Sequence, residues 1–222
     1  MRLSSSFRYK TFLRRLAVAT LAAHLGMIVA NGAMAAPLKI LALGDSLTAG
    51  YGLAEADGFC PQLEKALKAA GHDVQVIDGG VSGDTTADGL ARLDWTLADN
   101  PDVVIVELGA NDALRGLDPA QAKANLEAIL TRLEKQGRVV LLAGMKAPRN
   151  LGPDYDQAFD AMYPALAARH QVALYPFFLE GVATDPALSQ ADGIHPNPAG
   201  VAVIVRRILP VVEKALAQVK SD

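Results

Sequence analysis

The sequence predicts an α/β domain in which a five-stranded parallel sheet lies between two layers of helices. Two observations predict it. Short apolar runs of strand length alternate with longer segments whose apolar residues recur at helical spacing, and such alternation implies parallel strands joined by right-handed helical crossovers. The run Val103 to Leu108 is also rich in β-branched and apolar residues, as a strand covered on both faces is. A flavodoxin-like strand order is the expectation for this three-layer α/β/α sandwich.

Taken in order, Leu38 to Leu43 reads as the first strand, followed by a helix from Pro61 to Ala70 that carries Leu63, Ala66, Leu67 and Ala70 on one face and stops at Gly71. Val74 to Ile77 is the second strand, and Asp78 to Thr85 a turn-rich loop. A helix with Leu90, Leu93 and Leu97 on one face follows. Val103 to Leu108 is the third strand. Asp118-Pro119, a cap and a first-turn proline, opens a helix through Ala122, Leu126, Ile129, Leu130 and Leu133 that ends at Gly137. Val139 to Ala143 is the fourth strand, and Gly144 to Pro153 a loop. A helix carrying Tyr155, Phe159, Met162 and Leu166 leads to the short fifth strand, Val172 to Tyr175. The last helix runs through Val201, Val205 and Ile208, with a bend expected at Pro210.

Residues 1–35 are expected to lie outside this fold. Arg2, Arg8, Lys10, Arg14 and Arg15 precede the acid-free apolar run Leu16 to Ala30, and Asn31 to Ala35 supplies the small residues a signal peptidase reads, which places cleavage after Ala35. The run falls short of the roughly 20 residues a bilayer span needs. A periplasmic or secreted protein with no stable membrane insertion follows, and residues 36–222 form one domain. Cleavage removes five basic and no acidic side chains from 21 Lys plus Arg and 24 Asp plus Glu, leaving 16 against 24, a net of −8. A surface of that sign does not attract nucleic acid. Cys60 is the only cysteine, so an internal disulfide is excluded, and between Phe59 and Pro61 it reads as a small buried hydrophobe. A monomer is expected.

Four loops carry the residues that acyl transfer needs. The first strand stops at Gly44-Asp45-Ser46, which either presents Ser46 beyond the carboxyl end of a strand, where ligands of open α/β sheets bind, or caps the next helical turn. A serine hydroxyl needs an adjacent base, and His195 is the best on offer. Asp192, three residues earlier, is spaced to accept from one ring nitrogen while the other faces the serine. For the oxyanion, Gly83 can bring its backbone N–H close, and Asn111 offers a side-chain N–H at the end of the third strand. Taken singly, Gly83 reads equally as a turn glycine, Asn111 as a cap and Asp192 as a solvated loop charge; their coincidence at strand ends points to catalysis.

Gly44-Asp45-Ser46-Leu47, Gly83 before Asp84, Gly109-Ala110-Asn111-Asp112 and Asp192-Gly193-Ile194-His195 resemble the four sequence blocks of the GDSL, or SGNH, hydrolases. Gly50-Tyr51, Ser82 to Thr85 and Leu114-Arg115-Gly116 are similar to an exported bacterial branch of thioesterases, arylesterases and lysophospholipases. The resemblance implies a catalytic triad of Ser46, Asp192 and His195. It also implies an oxyanion hole formed by the Ser46 N–H, the Gly83 N–H and the Asn111 side chain, with no metal and no cofactor. Thr48 stands where much of the branch has serine, a change expected to matter little to the chemistry. Lys146 to Asn150 matches the branch only loosely.

Thr48 breaks the Gly-x-Ser-x-Gly elbow of the α/β-hydrolases, and no G-x-G-x-x-G follows the first strand. Ser82 is a rival nucleophile. A metal phosphoesterase could use Asp45, Asp112, Asp192 and His195, but the other histidines of residues 36–222, His72 and His170, read as structural. The expected function is a serine esterase for aryl or alkyl esters, with thioesters and lysophospholipids as further substrates. The alternatives are an O-acetyl esterase acting on envelope polysaccharide and a non-catalytic binding domain. Leu47, Leu114, Met145, Leu151 and Tyr155 could wall an acyl groove or belong to the core.

Overall fold

A computed structural model describes residues 36–219; the expected leader and its cleavage site lie outside these residues. Five parallel strands form one sheet in the order β2-β1-β3-β4-β5: β1 (Leu38–Gly44), β2 (Val74–Gly80), β3 (Val103–Glu107), β4 (Val139–Ala143) and β5 (Ala173–Tyr175). That is the flavodoxin-like order, and the crossovers are helices. These are α1 (Phe59–Ala69), the short α2 (Thr86–Ala91), α3 (Leu93–Thr96) and α4 (Ala110–Leu114), then α5 (Pro119–Lys135), α6 (Pro153–His170) and α7 (Pro198–Leu216). Ile40, Leu41, Ala42 and Leu43 of β1 and Val103 to Val106 of β3 are wholly buried, because both faces of the central strands are covered. Among the described residues no helix is long and apolar enough to cross a membrane.

Local chemistry sets the helix ends. Asp118 caps α5 through its carboxylate on the Ala120 N–H, and Asn197 caps α7 through the Gly200 N–H, each followed by a first-turn proline. At α2 the hydroxyl of Thr85 accepts from the Asp88 N–H while the Asp88 carboxylate accepts from the Thr85 N–H, a complete capping box.

The structure departs from the sequence reading at two places. Asp78-Gly79-Gly80 is strand, not turn: β2 stays in register with β1 to its end, pairing Gly79 with Leu43 and Gly80 with Gly44. A side chain at Gly80 would stand 2.4 Å from the Ala49 nitrogen and 2.9 Å from the Asp45 carbonyl oxygen. The glycine is there for close approach to the Ser46 turn, not for turning. The helix expected across Leu90 to Leu97 is broken at Arg92, whose guanidinium reaches inward to Asp84 Oδ2 at 2.5 Å, Thr96 Oγ1 at 3.1 Å and the Gly44 carbonyl at 2.9 Å. The last helix continues through Pro210 to Leu216.

Because the atoms facing Gly80 are backbone and cannot swing aside, Gly80→Ala is expected to cost about 3 kcal/mol, the upper part of the overpacking range. For a domain of this size that lowers Tm by roughly 6–12 °C in a thermal melt.

Candidate active site

β1 ends at Gly44, and the chain turns at once through Asp45, Ser46, Leu47 and Thr48. Asp45 organises this turn: its Oδ1 accepts the Leu47 N–H at 3.0 Å, and its carbonyl accepts the Ala49 N–H at 3.0 Å. Ser46 is thereby lifted to the carboxyl edge of the sheet, partly exposed, while Asp45 and Thr48 on either side are buried. His195 comes from the opposite end of the chain. Gln190 fastens its loop, donating from its backbone to the His195 carbonyl at 2.8 Å and from its side chain to the carbonyls of Tyr51 and Pro196 at 2.7 and 3.0 Å.

His195 Nε2 lies 2.9 Å from Ser46 Oγ, and His195 Nδ1 lies 2.6 Å from Asp192 Oδ2. The other oxygen of Asp192 accepts the backbone N–H groups of Ile194 at 2.9 Å and His195 at 3.0 Å. The imidazole bond and these two amides hold the Asp192 carboxyl down at about 2, so it stays ionised well below neutral pH. The Tyr51 ring packs on the imidazole with centroids 4.7 Å apart, limiting how His195 can turn. Serine, histidine and aspartate are therefore in hydrogen-bond sequence, with the imidazole facing Ser46 and not the exposed Ser82.

Gly83 and Asn111 converge on the same edge. Gly83 adopts φ +91°, a left-handed conformation that favours glycine, and its carbonyl accepts from Arg115 Nη2 at 2.7 Å. Asn111 Nδ2 donates to the Asp84 carbonyl at 2.9 Å and to Asp45 Oδ2 at 3.0 Å. The backbone N–H groups of Ser46 and Gly83 donate to no other described residue. Behind them, Asp112 accepts the N–H and hydroxyl of Thr86 at 2.8 and 2.7 Å, and Asn125 donates to that hydroxyl, so α2, α4 and α5 are tied beneath the loops.

A cavity of about 180 Å³ opens between Ser46 and His195. Leu47, Leu114 and Met145 line it as the sequence suggested, and Leu179 and Ile194, the latter from the Asp192–His195 block, join them. Leu151 and Tyr155 do not; Tyr155 instead donates its hydroxyl to the Leu117 carbonyl at 2.8 Å. His72 pairs with Glu213 and His170 with Glu134, away from this edge. Cys60 is buried, and burial pushes its thiol up. Among the described residues no group of three or more acids, histidines or cysteines is placed to hold a metal ion.

Sequence reasoning passed over Arg92 and Glu107. Glu107 is a single acid at the end of an apolar buried strand, a signal visible in the sequence.

Residues 42–203 match the GDSL-like Lipase/Acylhydrolase family. The chain belongs to that family. Among its relatives, esterase TesA of Pseudomonas aeruginosa is 43% identical over 82% of this chain and 91% of its own. The thioesterase 1/protease 1/lysophospholipase L1 of Escherichia coli K12 is 41% identical over 73% and 77%. A crystal structure of the psychrotrophic esterase EstA from Pseudoalteromonas sp., inhibited by monoethylphosphonate, covers 81% of this chain and 99% of its own at 31% identity with a TM-score of 0.77. The GDSL-like match runs from the end of β1 to the first turns of α7, so it includes β2 to β5 and each loop described above.

Proposed function

We propose that this protein is an exported serine esterase that hydrolyses carboxylic esters through an acyl-enzyme on Ser46. The observation that carries the reading is the unbroken line of hydrogen bonds from Ser46 Oγ through His195 to Asp192. His195 Nε2 takes the hydroxyl proton as Oγ attacks the ester carbonyl, and Asp192 holds the ring in the required tautomer and stabilises the imidazolium. The carbonyl oxygen becomes an oxyanion facing the Ser46 and Gly83 N–H groups. Asn111 supplies the third donor by exchanging its bond to Asp45 for one to the oxyanion, while its bond to the Asp84 carbonyl keeps the amide plane fixed. The imidazolium then protonates the departing alcohol or thiol. Water, deprotonated by the same nitrogen, releases the acid and regenerates Ser46.

Aryl and alkyl esters, thioesters and lysophospholipids are the proposed substrates, since one acyl-enzyme serves every leaving group. The apolar walls beside Ser46 suit an acyl chain. A larger hollow of about 530 Å³ shares Met145, Lys146, Pro148, Leu179 and Ile194 with that cavity and gives a longer chain somewhere to go. The relatives' names, esterase and thioesterase/lysophospholipase, and the phosphonate-inhibited state of EstA support this reading.

The test is hydrolysis of p-nitrophenyl esters from acetate to palmitate by residues 36–222 with a chelator present, alongside labelling by a fluorophosphonate. The expected result is chelator-insensitive turnover that peaks beyond acetate, with the label on Ser46 by peptide mass spectrometry. A sharp acetate optimum would instead point to an O-acetyl esterase. Neither turnover nor label would leave a binding domain with this fold.

A further inference from the structure

Glu107 closes β3 directly behind the Ser46 turn and is wholly buried, the one acid in Val103–Glu107. Its Oε2 accepts the Thr48 hydroxyl at 2.9 Å and lies 3.5 Å from the Asp45 nitrogen, while Oε1 has no partner among the described residues. The fit is tight: a side chain at Gly44 would stand 2.7 Å from Glu107 Oε2. An apolar side chain of equal length would fill this space without the desolvation penalty of an acid, so the acid has a task that packing does not supply.

We propose that Glu107 is a positioning residue: as a buried acid it fixes Thr48 and Asp45 and, through Asp45, sets the Asn111 amide for the oxyanion. The inference rests on the roles proposed above for Ser46 and Asn111. Burial, and after it the charge of Asp45, push the Glu107 carboxyl well above the usual range, so it keeps its proton. The other titratable groups facing it are Asp45 from the nucleophile turn, Cys60 from α1 and Tyr163 from α6, none of them a cation. Burial likewise raises Asp45, to about 6, against the opposing pull of the Leu47 N–H, His195 and Asn111. The two carboxyls therefore hold one negative charge between them at neutral pH. That sharing matters because Asp45 Oδ2 is the atom that must release Asn111 Nδ2. A second full charge there would compete with the oxyanion for the same N–H and repel it. Thr48 belongs to this device, so the serine-to-threonine change keeps the one feature that counts, a hydroxyl donor.

Two variants test the proposal. Glu107→Met keeps the length but removes the acid; it is expected to lower kcat for p-nitrophenyl butyrate by about 10–100-fold through misplacement of the turn and amide. KM should stay within about twofold, fluorophosphonate labelling should slow in proportion, and Tm should hold or rise. Glu107→Gln, neutral and the same size, should return kcat to within about threefold of the parent. Because the folded protein binds the Glu107 proton more tightly than the unfolded chain does, the parent loses stability relative to Glu107→Gln as pH climbs above the ordinary carboxylate range. The Tm advantage of the Gln variant should therefore grow from about pH 5 to about pH 8.

Parental kcat in Glu107→Met overturns the proposal, as does a Gln variant no better than Met or a Tm offset independent of pH. Should the Met variant not fold, the kcat and pH-dependent Tm of the Gln variant still decide. Ser46→Ala run in parallel keeps the two readings apart: activity surviving there defeats the serine mechanism itself, whereas loss there with an indifferent Glu107 defeats only the positioning role.

Discussion

Ser46→Ala is expected to lower kcat on p-nitrophenyl esters on the order of 10⁶-fold, the largest effect of any single change in this protein. In the proposed mechanism the hydroxyl oxygen is the atom that bonds to the substrate, and without it His195 would have nothing to deprotonate except water. His195→Ala should fall nearly as far, and the double variant no further, because the two groups act on one step and their losses do not add. What survives is the assistance of the oxyanion donors and substrate binding, which comparable sites place at roughly 10³–10⁴-fold over water. Single-turnover and steady-state rates on the butyrate ester check this. A Ser46→Ala rate within about tenfold of the parent would move the nucleophile elsewhere, with Ser82 the next serine to replace.

Asn111→Ala is expected to cost on the order of 10²–10³ in kcat with KM nearly unchanged. In the resting enzyme both N–H bonds of the amide are in use, one on the Asp84 carbonyl and one on Asp45. Neither is spent on the ground-state ester, so removing the amide should leave substrate affinity alone. The donor is called upon only when charge develops on the carbonyl oxygen, which puts its loss wholly in the chemical step. Equal KM and kcat effects, or a rise in KM alone, would place Asn111 in substrate binding and take it out of the oxyanion hole. Asn111→Asp should be at least as damaging, since it sets a carboxylate beside both Asp45 and the forming oxyanion.

Both variants rest on residues that were visible before any coordinates, and the reason is physical. A nucleophile, its base and an oxyanion donor must be particular side chains at strand ends, and strand ends announce themselves where apolar runs stop. The runs from Leu38 and Val103 were legible because both faces are buried, and Asp118-Pro119 because a cap is a local interaction. What the sequence concealed depends on atoms distant along the chain. Gly79 and Gly80 look like a turn until β1 lies alongside them. Arg92 reads as one more helix position until Gly44 and Asp84, well before it in sequence, offer their oxygens. Glu107 passed as part of an apolar run, and Thr48 as an indifferent substitution, because the bond between them spans 59 residues. The larger hollow beside the site was illegible for the same cause, since it is walled by Met145 to Arg149 on one side and by Leu179 and Val182, far along the chain, on the other.

The bond between Ser46 and His195 spans 149 residues, and that distance sets where the chain is vulnerable. All five strands precede His195, the fifth ending at Tyr175, and α7, which follows it, docks against α1, β4 and β5. A chain truncated before residue 195 would keep every strand of the sheet yet lose both the imidazole that faces Ser46 and the helix that covers this side of the core.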